Sequence, residues 1–197
     1  MAIKKRHHYI PLFYLKRFSV NEEGKFIGLY NHQNKIFIQK APLKHQACKN
    51  FLYGDSDEIE NALADMESKI AKLFFYWTEE RLLYPPPIES NGFKLLRQFI
   101  LYQAFRIPKS GNELRQSFNE GLETIKNEFR WDLSAKLTWE ELIDENPVLV
   151  SLINSVRHEH LLEYLDCKFI VNLSELPLIT SDAPVIFYNQ LMEAAGN

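Results

Sequence analysis

Asp57-Glu58-Ile59-Glu60-Asn61-Ala62-Leu63-Ala64-Asp65-Met66-Glu67-Ser68-Lys69-Ile70-Ala71-Lys72-Leu73-Phe74-Phe75-Tyr76-Trp77 decides how the rest of the chain is read. Ile59, Leu63, Met66, Ile70, Leu73 and Trp77 recur at intervals of three and four, the spacing of one face of a helix. An amphipathic helix over residues 57–77 is therefore expected. Asp55 or Ser56 is placed to cap it, and the acids of its first turn meet the positive end of the helix dipole.

Immediately downstream, Pro85-Pro86-Pro87 rules out helix and supplies a stiff extended linker. Phe93, Leu96, Phe99, Ile100 and Gln103 then form a second helical stripe, ending before Pro108 because the residue ahead of a proline disfavours helix. Leu114, Phe118, Leu122, Ile125 and Phe129 mark a third helix over residues 110–130. Shorter helices are expected over 138–145 and 147–165, the latter opening on Pro147 in the favoured first-turn position.

Upstream of the deciding stretch, the β-rich runs Lys25-Phe26-Ile27-Gly28-Leu29-Tyr30 and Ile36-Phe37-Ile38-Gln39 flank a polar Asn31-to-Lys35 connection and read as a hairpin. At the far end, Lys168-Phe169-Ile170-Val171-Asn172-Leu173 and Pro184-Val185-Ile186-Phe187-Tyr188 read as strands around a turn. The expected fold is thus α+β, mainly helical, with a small antiparallel sheet built from the N-terminal hairpin and the C-terminal strands. A single domain over residues 1–197 is expected, with Pro85 to Pro87 linking the hairpin-and-helix part to the helical part.

Composition narrows the class. Of 197 residues, 46% are hydrophobic and 13% aromatic, which is ample for a packed core and argues against disorder. Twenty-three basic against 26 acidic residues leave a net charge of -3, so no bulk basicity announces a protein that coats a duplex, although a local nucleic-acid site is compatible with it. The N-terminus is basic but is broken by His7, His8, Pro11, Lys16 and Arg17, which is unlike a signal peptide. No apolar run approaches the roughly 20 residues of a membrane span. Cys48 and Cys167 lie far apart without Cys-x-x-Cys spacing and are read as reduced thiols of a cytoplasmic protein.

Four constellations have chemical potential. Lys4-Lys5-Arg6-His7-His8, with Lys16, Arg17, Tyr9, Phe13 and Tyr14, is a basic and aromatic mixture suited to phosphate and base contacts, or a solubilising tail running into a packed segment. Adjacent histidines point to opposite sides of an extended chain, and His8 is taken as the inward one. Glu60 and Glu67, seven apart on the helix, are about 20 degrees off one face and roughly 10.5 Å apart along the axis, too far to hold one ion together. Each can act separately with His8 as acid, base or ligand, or stand as a solvated acid. Gln103 and Arg106 share a face near a helix end, where an amide and a guanidinium can meet a phosphate or carboxylate, or cap the last carbonyls. Thr180-Ser181-Asp182-Ala183-Pro184 presents a carboxylate on a turn. The chain has no glycine-rich phosphate loop, nucleophile elbow or zinc-ribbon spacing.

His8-Tyr9-Ile10-Pro11-Leu12-Phe13-Tyr14-Leu15-Lys16-Arg17-Phe18 resembles the His-x-x-Pro-x-x-Tyr-Leu-x-x-Phe opening of a bacterial family catalogued as domain of unknown function 4238. Gly28-Leu29-Tyr30, Ile59-Glu60 with Glu67, Gln103 to Arg106, and Thr180 to Pro184 resemble its later motifs. The resemblance draws His8, Glu60, Glu67, Arg106 and Asp182 together and implies further strands beyond the Ser-Asp-x-Pro turn, which this chain is expected to lack. It implies no activity.

The expectation drawn from these residues is a phosphodiesterase or nuclease-like hydrolase. His8, Glu60, Glu67 and Asp182 carry the chemistry, with a Mg or Mn ion as one option for a cofactor. Gln103, Arg106, Lys5 and Arg6 hold a nucleic acid or other phosphate-containing ligand. The competing expectation is a non-catalytic binding or defence-associated module. In it, His8 bonds a carboxylate and Arg106 pairs with Asp182 in a buried structural network.

Overall fold

The computed structural model of the chain describes residues 5–20, 23–55, 57–79, 84–129, 136–163 and 165–188. The long amphipathic stretch is helix α2 (Asp57–Glu79), with Asp57, Glu58 and Glu60 in its first turn. Ser56, one of its two expected caps, lies outside the described residues. Leu63, Met66 and Ile70 on its apolar face are buried, joined by Leu52 and Tyr53 before it. Leu96, Phe99, Val148 and Leu152, beyond the three prolines, complete the same cluster. Each such side chain taken out of water contributes about 1.5–3 kcal/mol to holding the 23-residue helix against its neighbours.

Helix α3 (Asn91–Phe105) starts where the Ser90 hydroxyl accepts the Phe93 amide at 3.2 Å. Its successor, α4 (Pro108–Phe129), begins on a proline that needs no amide partner. Two further helices follow, α5 (Lys136–Glu145) and α6 (Pro147–Arg157), the last capped by Asn146 Oδ1 on the Leu149 amide. The stretch expected as helix to 165 instead breaks at His158 into a 3-10 turn over Glu159–Leu162. Helix α4 packs against α6, and α3 lies against both α2 and α6. The α4–α6 crossing depends on Gly111, where a Cβ would come within 2.8 Å of a Val148 methyl and 2.9 Å of its amide nitrogen.

Two small antiparallel sheets complete the α+β fold. One is the expected hairpin of β2 (Phe26–Asn31) and β3 (Ile36–Pro42), with an irregularity between Ile27 and Leu29. Its connection is tied by Asn31 Oδ1, which accepts from the amides of Gln33 and Asn34. Ile27 and Ala41 join Ile10, Leu15 and Leu43 in a second apolar cluster. The other sheet pairs β1 (Arg6–His8) with β4 (Cys48–Asn50), register His7 to Lys49. A one-turn helix α1 (Leu12–Leu15) follows Pro11.

The strands expected at the C-terminal end are corrected. Residues 165–188 contain no strand. Burial does alternate there as in a strand, with Cys167 and Phe169 against the core while Ile170 is 94% exposed. No backbone–backbone hydrogen bond among the described residues joins residues 166–187 to another element, so the apolar pattern has no ladder to complete it. The second sheet is made by β4 instead. No helix among the described residues is long and apolar enough to cross a membrane.

Candidate functional site

The site grows out of the side-chain alternation of β1. His7 turns inward: it is fully buried, stacks on the Tyr53 ring at 5.4 Å with an 11° interplanar angle, and accepts the Tyr53 amide at Nδ1. The inward histidine is therefore His7, a correction set by the β1–β4 register. Arg6 and His8 share the opposite face with Asn50 and Cys48.

His8 is half-buried and borders an open cleft. Its Nε2 lies 3.3 Å from the Lys44 carbonyl, which can only accept, so Nε2 carries the proton and Nδ1 the lone pair. The expected bond from His8 to a carboxylate is replaced by this backbone contact. Burial holds the His8 pKa below its ordinary value, and the Arg6 and Arg106 charges act in the same direction. The Lys44 carbonyl and Glu67 oppose that shift. His8 is consequently neutral at neutral pH, the form that serves as a base or as a ligand.

The cleft has a volume of about 890 Å³. Lys5, Arg6, His8 and Asn50 form one wall, Leu12 and Phe13 the apolar floor, and α2 the other wall. On α2 the lining residues are Glu60, Ala64, Glu67, Ser68 and Ala71. Positions 60, 64, 67 and 71 follow the helical spacing of four and three, so the small side chains between and beyond the two carboxylates leave the space open. Five of the expected residues (Lys5, Arg6, His8, Glu60 and Glu67) thus meet in one solvent-connected cavity. Arg6 also donates to Nδ1 of His45 at 2.6 Å, which steers its guanidinium along the strand pair.

Behind this cavity sits Arg106. It is fully buried just after α3, donating Nε to the Tyr9 carbonyl at 2.8 Å, Nη2 to the His8 carbonyl at 3.4 Å, and Nη1 to Glu67 Oε1 at 2.7 Å. Gln103 Nε2 donates to the same Tyr9 carbonyl at 2.8 Å. Its Oε1 is buried without a partner among the described residues. Neither residue lines the cleft, so both are corrected from substrate contacts to anchors. A guanidinium without exposed surface cannot grip a ligand. It can hold the N-terminal arm and Glu67 in place, the side chain of Glu67 remaining 25% exposed toward the cavity.

Asp182 does not join them. It is exposed, outside the cleft lining, and not paired to Arg106, which takes Glu67 instead. Its turn is made by the Ser181 hydroxyl, which accepts the Ala183 amide, and is fastened to α1 by Tyr14 Oη and Thr180 Oγ1 at 3.0 Å. Asp182 is nonetheless close enough to Tyr9 to add to the upward shift that burial imposes on that phenol. Among the described residues no three His, Cys, Asp or Glu side chains group as a metal centre would require. Asn50, Ala64, Ser68 and Ala71 are cleft residues that the motifs did not flag. The helical spacing of the three small residues beside Glu60 and Glu67 was the available signal.

Fold and site together define a mainly helical α+β protein in which a basic N-terminal strand faces a carboxylate-bearing helix across an open cleft. The chain belongs to the family described as protein of unknown function (DUF4238), which matches residues 6–196. No curated protein and no solved structure matches it.

Proposed function

We propose that the cleft between β1–β4 and α2 binds a phosphodiester and cleaves it, with His8 as the general base. The observation that carries this reading is the convergence of a half-buried neutral imidazole with two cations and two carboxylates in one open cavity. Lys5 and Arg6 hold the phosphate and offset the charge that builds on it in the transition state. Glu60 orients the attacking hydroxyl. Glu67, neutralised from behind by Arg106, steadies the imidazolium once His8 has taken the proton. Asp182 has no part in this set, and Gln103 and Arg106 act only through the residues they position. The seven-residue separation of Glu60 from Glu67 argues for chemistry that does not place one ion between them. Two free, half-buried cysteines are in keeping with a reducing, cytoplasmic setting.

The test is the release of nitrophenolate from bis(p-nitrophenyl) phosphate, alongside cleavage of a labelled oligonucleotide. The wild-type chain is expected to turn over one of these, and His8→Asn to lose about 10²-fold or more at unchanged thermal stability. Equal activity in the two proteins would remove His8 from the chemistry.

A second reading has its own observation. The buried Arg106 bonds to His8, Tyr9 and Glu67 form a network that pins the N-terminal arm irrespective of any ligand. On that reading the residues serve a binding module, and no phosphodiester is turned over.

A further inference from the structure

A phosphodiester is broken either by an activated water or by a hydroxyl that the substrate itself carries next to the phosphorus. Which route a site takes depends on whether it can hold and activate water. In this cleft the single imidazole is His8, Glu67 is already committed to Arg106 at 2.7 Å, and Glu60 stands two helical turns away from Glu67. One base that need only remove a proton, plus cations on the phosphate, is sufficient for a nucleophile that the substrate itself delivers already in position.

The walls match a strand better than a compact molecule. The cleft is open and, at about 890 Å³, near the upper end of small-ligand pockets, which span roughly 300–1,000 Å³. Along one wall Lys5, Arg6 and Asn50 offer two charges for consecutive phosphates and an amide for a base edge. Leu12 and Phe13 supply an apolar floor on which an unstacked base can rest.

We propose that the substrate class is single-stranded RNA, cleaved by its own 2′-hydroxyl; this rests on the phosphodiester-cleaving reading of the same site. His8 takes the proton from the 2′-hydroxyl, the 2′-oxygen forms a bond to phosphorus, and the bond from phosphorus to the 5′-oxygen breaks. The departing 5′-oxygen takes a proton from water, and His8 returns its own to solvent. The products are a 2′,3′-cyclic phosphate on one fragment and a 5′-hydroxyl on the other, with no redox change and no added reactant.

The experiment incubates the 197-residue chain, in EDTA, with a mixed-sequence single-stranded RNA, the DNA of the same sequence, and the RNA methylated at every 2′-oxygen. Mass spectrometry reads the fragment ends. RNA is expected to be cut to 2′,3′-cyclic phosphate ends while DNA and methylated RNA stay intact, with the rate reduced about 100-fold or more in His8→Asn. Cleavage of DNA as well, 5′-phosphate ends, or a requirement for added Mg²⁺ would overturn the RNA assignment and leave the broader phosphodiesterase reading standing. No cleavage of any oligonucleotide, nor of bis(p-nitrophenyl) phosphate, would overturn both. Should His8→Asn fail to fold, the wild-type fragment ends still decide the matter.

Discussion

The N-terminal arm and the C-terminal segment start from similar sequence and end in different physical states. Both are short, extended runs rich in aromatic and branched residues with no helix to shape them. In the arm, β1 is laddered to β4, and the carbonyls of His8 and Tyr9 are taken by Arg106 and Gln103. Ile10 and Pro11 end up fully buried. Residues 165–188 are held instead by local turns about Asn172 and Ser181 and by a bond from Thr180 to Tyr14. A few rings, such as Phe169 on Trp77 at 5.2 Å, touch the core, while Leu173 and Ile179 are at least 90% exposed. Apolar composition alone therefore does not integrate a segment. Partners for its backbone do.

The strongest way to break this contrast is to remove the arm's anchor. Arg106→Ala removes three hydrogen bonds at once, leaving the Tyr9 carbonyl to Gln103 alone. It also leaves Glu67 without its ion-pair partner, and is expected to cost about 3–5 kcal/mol. Urea denaturation checks it, and a loss below about 1 kcal/mol would show that the ladder alone holds the arm. Gly111→Ala probes the α4–α6 crossing instead. The Cβ overlap with Val148 is expected to cost about 1–3 kcal/mol, read as a lowered Tm, with hydrogen exchange of the arm unchanged.

His8 supplies a smaller effect with a definite sign. Because its folded pKa lies below the ordinary 6.5, the unfolded chain binds the proton more readily. Its contribution to stability is therefore intact above about pH 6.5 and is lost as pH falls from there through the folded value. Stability curves of wild type and His8→Asn are expected to diverge only on that acidic side. Divergence above pH 7 would contradict a depressed pKa. At the weak end, Ile170→Ser and Leu173→Ser are expected to change stability by no more than about 0.5 kcal/mol, since both side chains are already in water. A larger loss would mean that the segment is covered in solution.

The same contrast separates what could be read from the residues from what could not. Helices α2, α3, α4 and α6 were legible because their apolar periods depend only on local spacing. The three-residue β4, Cys48-Lys49-Asn50, is polar and short, and is a strand only through its pairing with β1. The runs at 168–173 and 184–188 have strand composition without that pairing. Parity misled in the same way: whether His7 or His8 turns inward is decided by a register that neither residue encodes. That His8, Glu60 and Glu67 line one cleft was suggested by the resemblance to the family motifs, while residue type and spacing left each of them open to a structural role. That Arg106 would lie wholly buried against Glu67 rather than meet Asp182 was invisible, because both carboxylates satisfy the same chemical description.

The Arg106 anchor also has a temporal consequence. Its bonds to Tyr9 and His8 join groups 97 and 98 positions apart in the chain. A polypeptide emerging N-terminus first exposes β1, its aromatic neighbours and Glu67 long before α3 and Arg106 leave the ribosome. Until then the arm has a basic, sticky edge and no clamp, and closure of so long a loop belongs to the slow, late steps of folding. The cleft thus cannot be clamped until roughly the first half of the molecule is made, and a nascent chain that stalls before Arg106 carries the residues of the site without the site itself.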